Sequence, residues 1–258
     1  MSQNTPLPLY AADVWRAVVL GYGILAYVCF HATFAGLFLF AGNLGVVRGI
    51  DAGPPADTGA LAIEVALIAL FGVTHSILAR PSVKRHLRPE IERSTYVMVA
   101  NATLALLIWQ WRAAPTVVWS VAIPAAVYWL VQGTAVALIV WSTFLTDHFD
   151  LFGLRQVWLF ARGVPYTPVP FVERWLYTRV RHPMMLGVLI WLWAVPVMTV
   201  GHLAFSAGMT TYILVGVYFE ERGLVANLGA PYEAYRRRVR AFVPFPRRRA
   251  RGLLRTGP

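Results

Sequence analysis

The chain has 258 residues, of which 58% are hydrophobic and 14% charged, and Lys+Arg outnumber Asp+Glu 23 to 12 for a net charge of +11. Soluble domains carry about 25% charged residues, so the composition excludes an ordinary soluble domain and points to lipid. Cys29 is the single cysteine, which excludes an intrachain disulfide and a cysteine-rich metal site.

In chain order, residues 1–16 form a short polar tail containing Pro6 and Pro8. Six apolar runs follow, at about 17–42, 60–79, 95–111, 118–145, 183–200 and 202–219. About 20 apolar residues span a bilayer as helix, and Val/Leu/Ala/Trp runs without alternating polarity favour helices over a barrel. The expected fold is therefore all-α: a polytopic integral-membrane bundle of about six transmembrane helices. The first run is too long for a cleaved signal and is expected to stay as the first membrane helix. The fourth is long enough to tilt or to continue past the membrane surface.

Charge placement sets the expected orientation. Arg80, Lys84, Arg85, Arg88 and Arg93 follow the second run, and Arg155, Arg162, Arg174, Arg179 and Arg181 lie between the fourth and fifth. Arg236, Arg237, Arg238, Arg240, Arg247, Arg248 and Arg249 follow the sixth. The loop from Asn43 to Thr58, broken by Gly49, Gly53, Pro54 and Pro55, has only Arg48 against Asp51 and Asp57. By the positive-inside rule both termini are cytoplasmic, in an inner membrane, with the chemistry facing in. No nucleic-acid-binding pattern accompanies the arginines, so anionic lipid headgroups are the expected partner of the basic tail.

The connection from Thr146 to Arg181 mixes Asp147, His148, Asp150, Arg155 and Gln156 with apolar groups at 149, 152, 154, 158 and 159. These suit an interfacial helix, which Gly163, Pro165, Pro168 and Pro170 then break. Arg181-His182-Pro183 stands at the mouth of the fifth run, since proline suits a first helical turn whose free N–H groups attract anions. Gly187, one turn on, permits close approach of a ligand or a neighbouring helix. Glu220 and Glu221 close the sixth run, and adjacent helix residues point apart, so one of them is expected to face inward. Tyr232 and Tyr235 share one face of a short helix and can close an apolar lid. Singly, these are an interfacial anchor, a solvated helix end and membrane-belt tyrosines; their joint spacing is what is unusual.

The joint pattern Arg181-His182-Pro183-(x)3-Gly187 … Glu220-Glu221-(x)2-Leu224-(x)4-Gly229-(x)2-Tyr232-(x)2-Tyr235-(x)3-Val239-(x)2-Phe242-(x)-Pro244 resembles the tail of the isoprenylcysteine carboxyl methyltransferase and phospholipid methyltransferase superfamily. The resemblance implies S-adenosylmethionine as methyl donor, surrounded by Arg181, His182, Pro183, Leu186, Gly187, Glu220, Glu221, Tyr232 and Tyr235. Many relatives have tyrosine at the position of Met185. Upstream, Phe71-Gly72-Val73-Thr74-His75-Ser76 with Glu92-Arg93-Ser94-Thr95-Tyr96 resembles NnrU-like membrane proteins. Thr146-Asp147-His148-Phe149-Asp150-Leu151-Phe152-Gly153-Leu154-Arg155-Gln156, with Tyr166-Thr167-Pro168 and Pro196-x-Met198-Thr199-x-Gly201-His202, is similar to the bacterial methanethiol S-methyltransferases. That likeness spans roughly residues 70 to 246.

It implies methylation of methanethiol to dimethyl sulfide, with hydrogen sulfide as a further acceptor. Residues 1–145 would then be a scaffold lining part of the substrate pocket, and 146–258 the donor-binding catalytic region. Thiolate is the reactive species. His148 is the natural proton acceptor near neutral pH, with Asp147 or Asp150 to orient it. Arg155 would stabilise the anion, Tyr166 or Tyr96 would donate hydrogen bonds, and Trp109, Trp141 or Phe144 would line an apolar pocket. His75 and His202 lack the spacing of a metal site, so no metal is expected. Two other classes stay open: methylation of a lipid or isoprenylcysteine carboxylate, and a non-enzymatic NnrU-like accessory or transport protein. Sequence alone leaves the oligomeric state undetermined.

Overall fold

The computed structural model describes residues 9–45, 48–54 and 59–244. Pro6, Pro8, Pro55, Asp57, Thr58 and the arginines at 247–249 lie outside the described residues. The order is α1 (Leu9–Ala41), α2 (Ala60–Leu78), α3 (Pro81–Lys84), α4 (Glu92–Gln110), β1 (Val117–Ser120), α5 (Ala125–Leu145), α6 (His148–Leu151) and α7 (Leu154–Ala161). A 3₁₀ turn (Trp175–Thr178), α8 (Pro183–Trp193), β2 (Val197–Thr199), α9 (Val200–Leu228) and α10 (Ala230–Arg238) follow. Four helices are long and apolar enough to cross a membrane: Ala12–Ala41 within α1, α2, α5 and α9. The chain is a helical membrane protein, and α4 and α8 supply its other two apolar segments.

Two expected spans differ in detail. The run 118–145 begins as β1, because Pro124 ends the extended segment and α5 starts at Ala125. The run 183–200 is helical only to Trp193. Pro196 cannot continue the helix, and Val197–Thr199 pairs antiparallel with β1. The arms of the expected hairpin are thus unequal. At about 1.5 Å per residue α8 extends roughly 16 Å, near half of a ~30 Å hydrocarbon core.

A helix that stops inside a bundle must have its last carbonyls satisfied by protein. Gln132 Nε2 on α5 donates to the carbonyls of Ala194 at 2.8 Å and Trp191 at 3.4 Å. On α9, Ser206 Oγ donates to the Leu192 carbonyl at 3.0 Å, and His202 Nε2 bonds it at 3.2 Å. His202 therefore has a structural task at the end of α8. A Cβ at Gly187 would lie 2.8 Å from the Ala135 carbonyl, so glycine there sets the close approach of α8 to α5.

Contacts sort the bundle into two ends. At one, Thr199 donates to Asp51 at 2.6 Å, Trp111 Nε1 to the Ile50 carbonyl at 3.2 Å and Arg48 to the Trp109 carbonyl at 2.6 Å. Phe40, Leu107, Trp111 and Phe205 pack beneath them. At the other end the α6–α7 connection lies on α1 and α4. Arg93 Nε donates to the Leu151 carbonyl at 2.7 Å, and a Cβ at Gly23 would overlap Val157 of α7.

Gln132→Leu leaves two carbonyls of the α8 end unpaired. It should lower unfolding stability by about 1–3 kcal/mol, measured by thermal melting in detergent. An unchanged melting temperature would show that those carbonyls find other partners.

Candidate active site

Pro183 opens α8 with His182 at the cap, and the preceding residues run beside the chain that leaves α10. Arg181 N donates to the Arg240 carbonyl at 2.9 Å and His182 N to the Ala241 carbonyl at 3.1 Å. This backbone pairing brings the start of α8 against the end of α9. Glu221 Oε1 receives Arg181 Nη2 at 2.6 Å and Nε at 2.7 Å, and lies 3.0 Å from His182 Nε2. Arg181 Nη1 also donates to the Val239 carbonyl. The Arg181 side chain is only 6% exposed and that of Glu221 12%. Of the glutamate pair, Glu221 is the inward, committed member.

Glu220 is 54% exposed, and its nearest basic side chain is His182, with Nδ1 at 3.8 Å. Around this open carboxylate, His182, Arg93, Tyr96, Tyr212 and Tyr177 all lie within electrostatic reach. Tyr232 and Tyr235 are each 1% exposed and pack on Phe171, with ring centroids at 5.6 and 5.3 Å. Tyr235 Oη donates to the Tyr177 carbonyl at 2.7 Å. These tyrosines form a packed wall closing α10 onto the 166–178 segment. Burial, reinforced by the nearby Glu221 carboxylate, pushes the Tyr232 phenol up to about 12, so it stays protonated. Leu186 follows His182 by one turn, its N–H on the His182 carbonyl. Gly187 faces α5 and so acts on the site through helix spacing.

His148 stands 7% exposed at the start of α6, after Asp147 in a left-handed turn with φ of 78°. Its Nδ1 lies 2.8 Å from Thr143 Oγ1, which itself donates to the Val140 carbonyl at 2.7 Å. Thr143 therefore accepts from His148 Nδ1–H, and Nε2 accepts from Tyr27 Oη at 2.8 Å. Phe144 stacks on the imidazole with centroids 4.3 Å apart, and His31 is 5.9 Å away. Burial, with the neighbouring His31, holds His148 below the usual histidine range, while Asp147 pulls the other way. The ring is neutral at pH 7, with a defined tautomer.

The expectation that Asp147 or Asp150 orients His148 is corrected: Thr143 and Tyr27 do so. Asp147 caps α6 through the Asp150 N–H at 3.1 Å. Arg155 is tied to Asp150 at 2.9 Å, to the Thr167 carbonyl at 2.8 Å and to Asp147 at 3.8 Å. Tyr166 Oη donates to Asp150 at 3.2 Å. Arg155, Asp150 and Tyr166 thus fasten the 147–167 connection onto itself. Beside it a cavity of about 380 Å³ is lined by Phe144, Thr146, His148, Val169, Pro170 and Arg174.

Tyr96 hydrogen-bonds His75 Nε2, and the Arg93 guanidinium lies 5.2 Å over the Tyr96 ring. Trp109 and Trp141 are 71% and 50% exposed on the outside of the bundle and line neither this region nor the cavity. Among the described residues no three His, Cys, Asp or Glu side chains converge as metal ligands. Sequence reasoning missed Tyr27, Thr143 and Tyr212. The available signal was Tyr27 and His31, four apart on one face of a membrane-length helix.

The family model described as NnrU protein matches residues 64–247. The chain belongs to the NnrU family. Among its relatives, the methanethiol S-methyltransferase of Mycobacterium tuberculosis is 44% identical, over 90% of this chain and 98% of that protein. Methanethiol S-methyltransferase 2 of Bradyrhizobium diazoefficiens is 45% identical over 91% and 93%. Nurim of Xenopus laevis is 30% identical over 59% of this chain and 58% of its own. No solved structure matches. The NnrU match takes in every site element from α2 to the Ala241 carbonyl; Tyr27 and His31 on α1 precede it.

Arg181→Met removes the closest counter-charge of buried Glu221, leaving His182 at 3.0 Å and Arg236 at 3.9 Å. It should cost about 3–5 kcal/mol of stability, and Arg181→Met/Glu221→Leu should recover most of the loss. Melting of both variants against the parent chain checks this; a single variant as stable as the parent would contradict it.

Proposed function

We propose that this chain catalyses S-adenosylmethionine-dependent S-methylation of methanethiol to dimethyl sulfide, with hydrogen sulfide as a second acceptor. The observation that carries the reading is the exposed Glu220 carboxylate, held only by a long 3.8 Å contact to His182, beside the locked Arg181–His182–Glu221 cluster, in a chain whose relatives at 44–45% identity are named methanethiol S-methyltransferases.

The residues present suit the donor. Glu220 is an exposed acceptor for hydroxyl or ammonium groups and a counter-charge for a cation. Tyr232 Oη makes no hydrogen bond among the described residues and offers a proton. In the first turn of α8 His182 N is taken by the Ala241 carbonyl and Pro183 has no N–H, so it is the N–H groups of Met184 and Met185 that face an anionic group. Arg181 and Glu221 hold those groups in place, and Leu186, Gly187 and Tyr235 fix the helices that carry them. When bound, S-adenosylmethionine supplies an electrophilic methyl group that the acceptor sulfur takes by in-line displacement, the bonding pair remaining on the donor sulfur.

The protein's part is to position the thiol and remove its proton. His148 Nε2 is the proton sink. Tyr27 accepts the S–H proton as its own passes to Nε2, and Thr143 keeps Nδ1 protonated. Tyr27 and Tyr96 both pack against one small core of Ala26, Val97 and Phe152. Tyr96 donates a hydrogen bond to the sulfur; Asp147, Arg155 and Tyr166 keep the connection folded. The site faces the cytoplasm of an inner-membrane protein whose arginines meet anionic lipid.

Purified protein given methyl-labelled S-adenosylmethionine and methanethiol should release labelled dimethyl sulfide into the headspace, and Glu220→Gln should weaken the donor's apparent affinity by about 10-fold or more. Label appearing in lipid extracts, or no volatile product, would overturn the reading. Activity should fall as pH drops through a pKa below about 6.5. Because His31 lowers and Asp147 raises the His148 pKa, His31→Gln should move that limb to higher pH and Asp147→Asn to lower pH.

A further inference from the structure

Gly208, Tyr212, Gly216 and Glu220 follow at four-residue steps along α9, turning about 40° at each step. The first two face α2. A Cβ at Gly208 would lie 3.0 Å from Ile68 Cγ2, and the Tyr212 ring lies 3.1 Å from the Cβ position of Gly72. One turn further, a Cβ at Gly216 would meet nothing within 4 Å. Helices α2 and α9 are therefore in contact at Gly208 and Tyr212, and the space over Gly216, one turn before Glu220, is open.

The upper wall of the gap is an aromatic cluster. Tyr212 meets His75 edge-on at 5.6 Å and Phe71 at 5.1 Å, and His75 lies 4.5 Å from the Tyr96 ring. The lower edge is Glu220. Among the described residues His75 Nδ1 is buried without a hydrogen-bond partner, while Nε2 bonds Tyr96. An unpaired buried N–H is disfavoured, which puts the proton on Nε2 and makes Tyr96 the acceptor. The Tyr96 O–H is then free to donate elsewhere.

We propose that the gap over Gly216, walled by Tyr212, Tyr96 and Glu220, is the seat of the small thiol, with His75 holding the Tyr96 hydroxyl toward the acceptor sulfur. This rests on the methyl-transfer reading above and names where the acceptor binds. Aromatic faces and edges suit a thiol sulfur, and the seat adjoins the carboxylate assigned to the donor. A space of one missing side chain also selects small acceptors. His75 is a positioning residue, acting through Tyr96.

Gly216→Leu fills the seat where no protein atom stands, in a helix that leucine favours over glycine. The experiment compares this variant with the parent chain in nanodiscs by three readouts: saturation transfer to ¹³C-methanethiol, calorimetric binding of S-adenosylmethionine, and dimethyl sulfide release. Gly216→Leu should lose the methanethiol signal and on the order of 100-fold in turnover, with donor affinity and melting temperature kept. Tyr96→Phe should lower kcat more than it raises KM, and His75→Gln should reproduce part of that loss. Retention of the methanethiol signal in Gly216→Leu, or its loss together with donor binding, overturns the seat. Methanethiol binding that depends on Gly216 without any dimethyl sulfide overturns the reaction reading and leaves the seat standing.

Discussion

The buried ion pair between Arg181 and Glu221 is the constraint on which the rest depends. A charge with 6% side-chain exposure is tolerated only where every donor has a partner. Arg181 reaches that state by spanning three segments: its own approach to α8, Glu221 on α9, and the Val239 carbonyl after α10. The chain must therefore return α10 to the mouth of α8, and the backbone pairing of 181–182 with 240–241 follows. The same pair withdraws Glu221 from chemistry, which leaves Glu220 as the available carboxylate.

Around Glu220 the bundle divides its work. The α8–α10 side is rigid, closed by Tyr232 and Tyr235 against Phe171. The other side carries two tyrosine–histidine pairs, Tyr27–His148 and Tyr96–His75, whose tyrosines pack against one small apolar core. Arg93 joins the sides: it lies over Tyr96, holds the Leu151 carbonyl and is within reach of Glu220. A displacement reaction needs two partners in line more than it needs strong acid or base.

Much of this was legible in the residues. Hydropathy marked the helices, and the Arg181–His182–Pro183 and Glu220–Glu221 pattern marked the two segments that meet. Adjacent glutamates on a helix had to diverge, and they do. The early end of α8 was harder to read, since its apolar run continues to Val200 and only Pro196 opposes a helix. What stops it safely is Gln132, His202 and Ser206, polar groups from other helices. The partners of His148 were invisible for a similar reason. Charged Asp147 and Asp150 are its sequence neighbours, yet Arg155 takes both, and the imidazole turns to Tyr27, 121 residues away. Local sequence favours near carboxylates; burial favours neutral hydroxyls that complete a buried ring's hydrogen bonds.

The central claim is that α8, α9 and α10 together hold one methyl donor through Glu220, with Arg181 and Glu221 as its frame. Calorimetric titration of S-adenosylmethionine into the purified, detergent-solubilised protein tests this most directly. One site per chain is expected, weakened by about 10-fold or more in Glu220→Gln without a change in melting temperature. Absence of binding in the parent chain, or equal affinity in Glu220→Gln, would contradict the account.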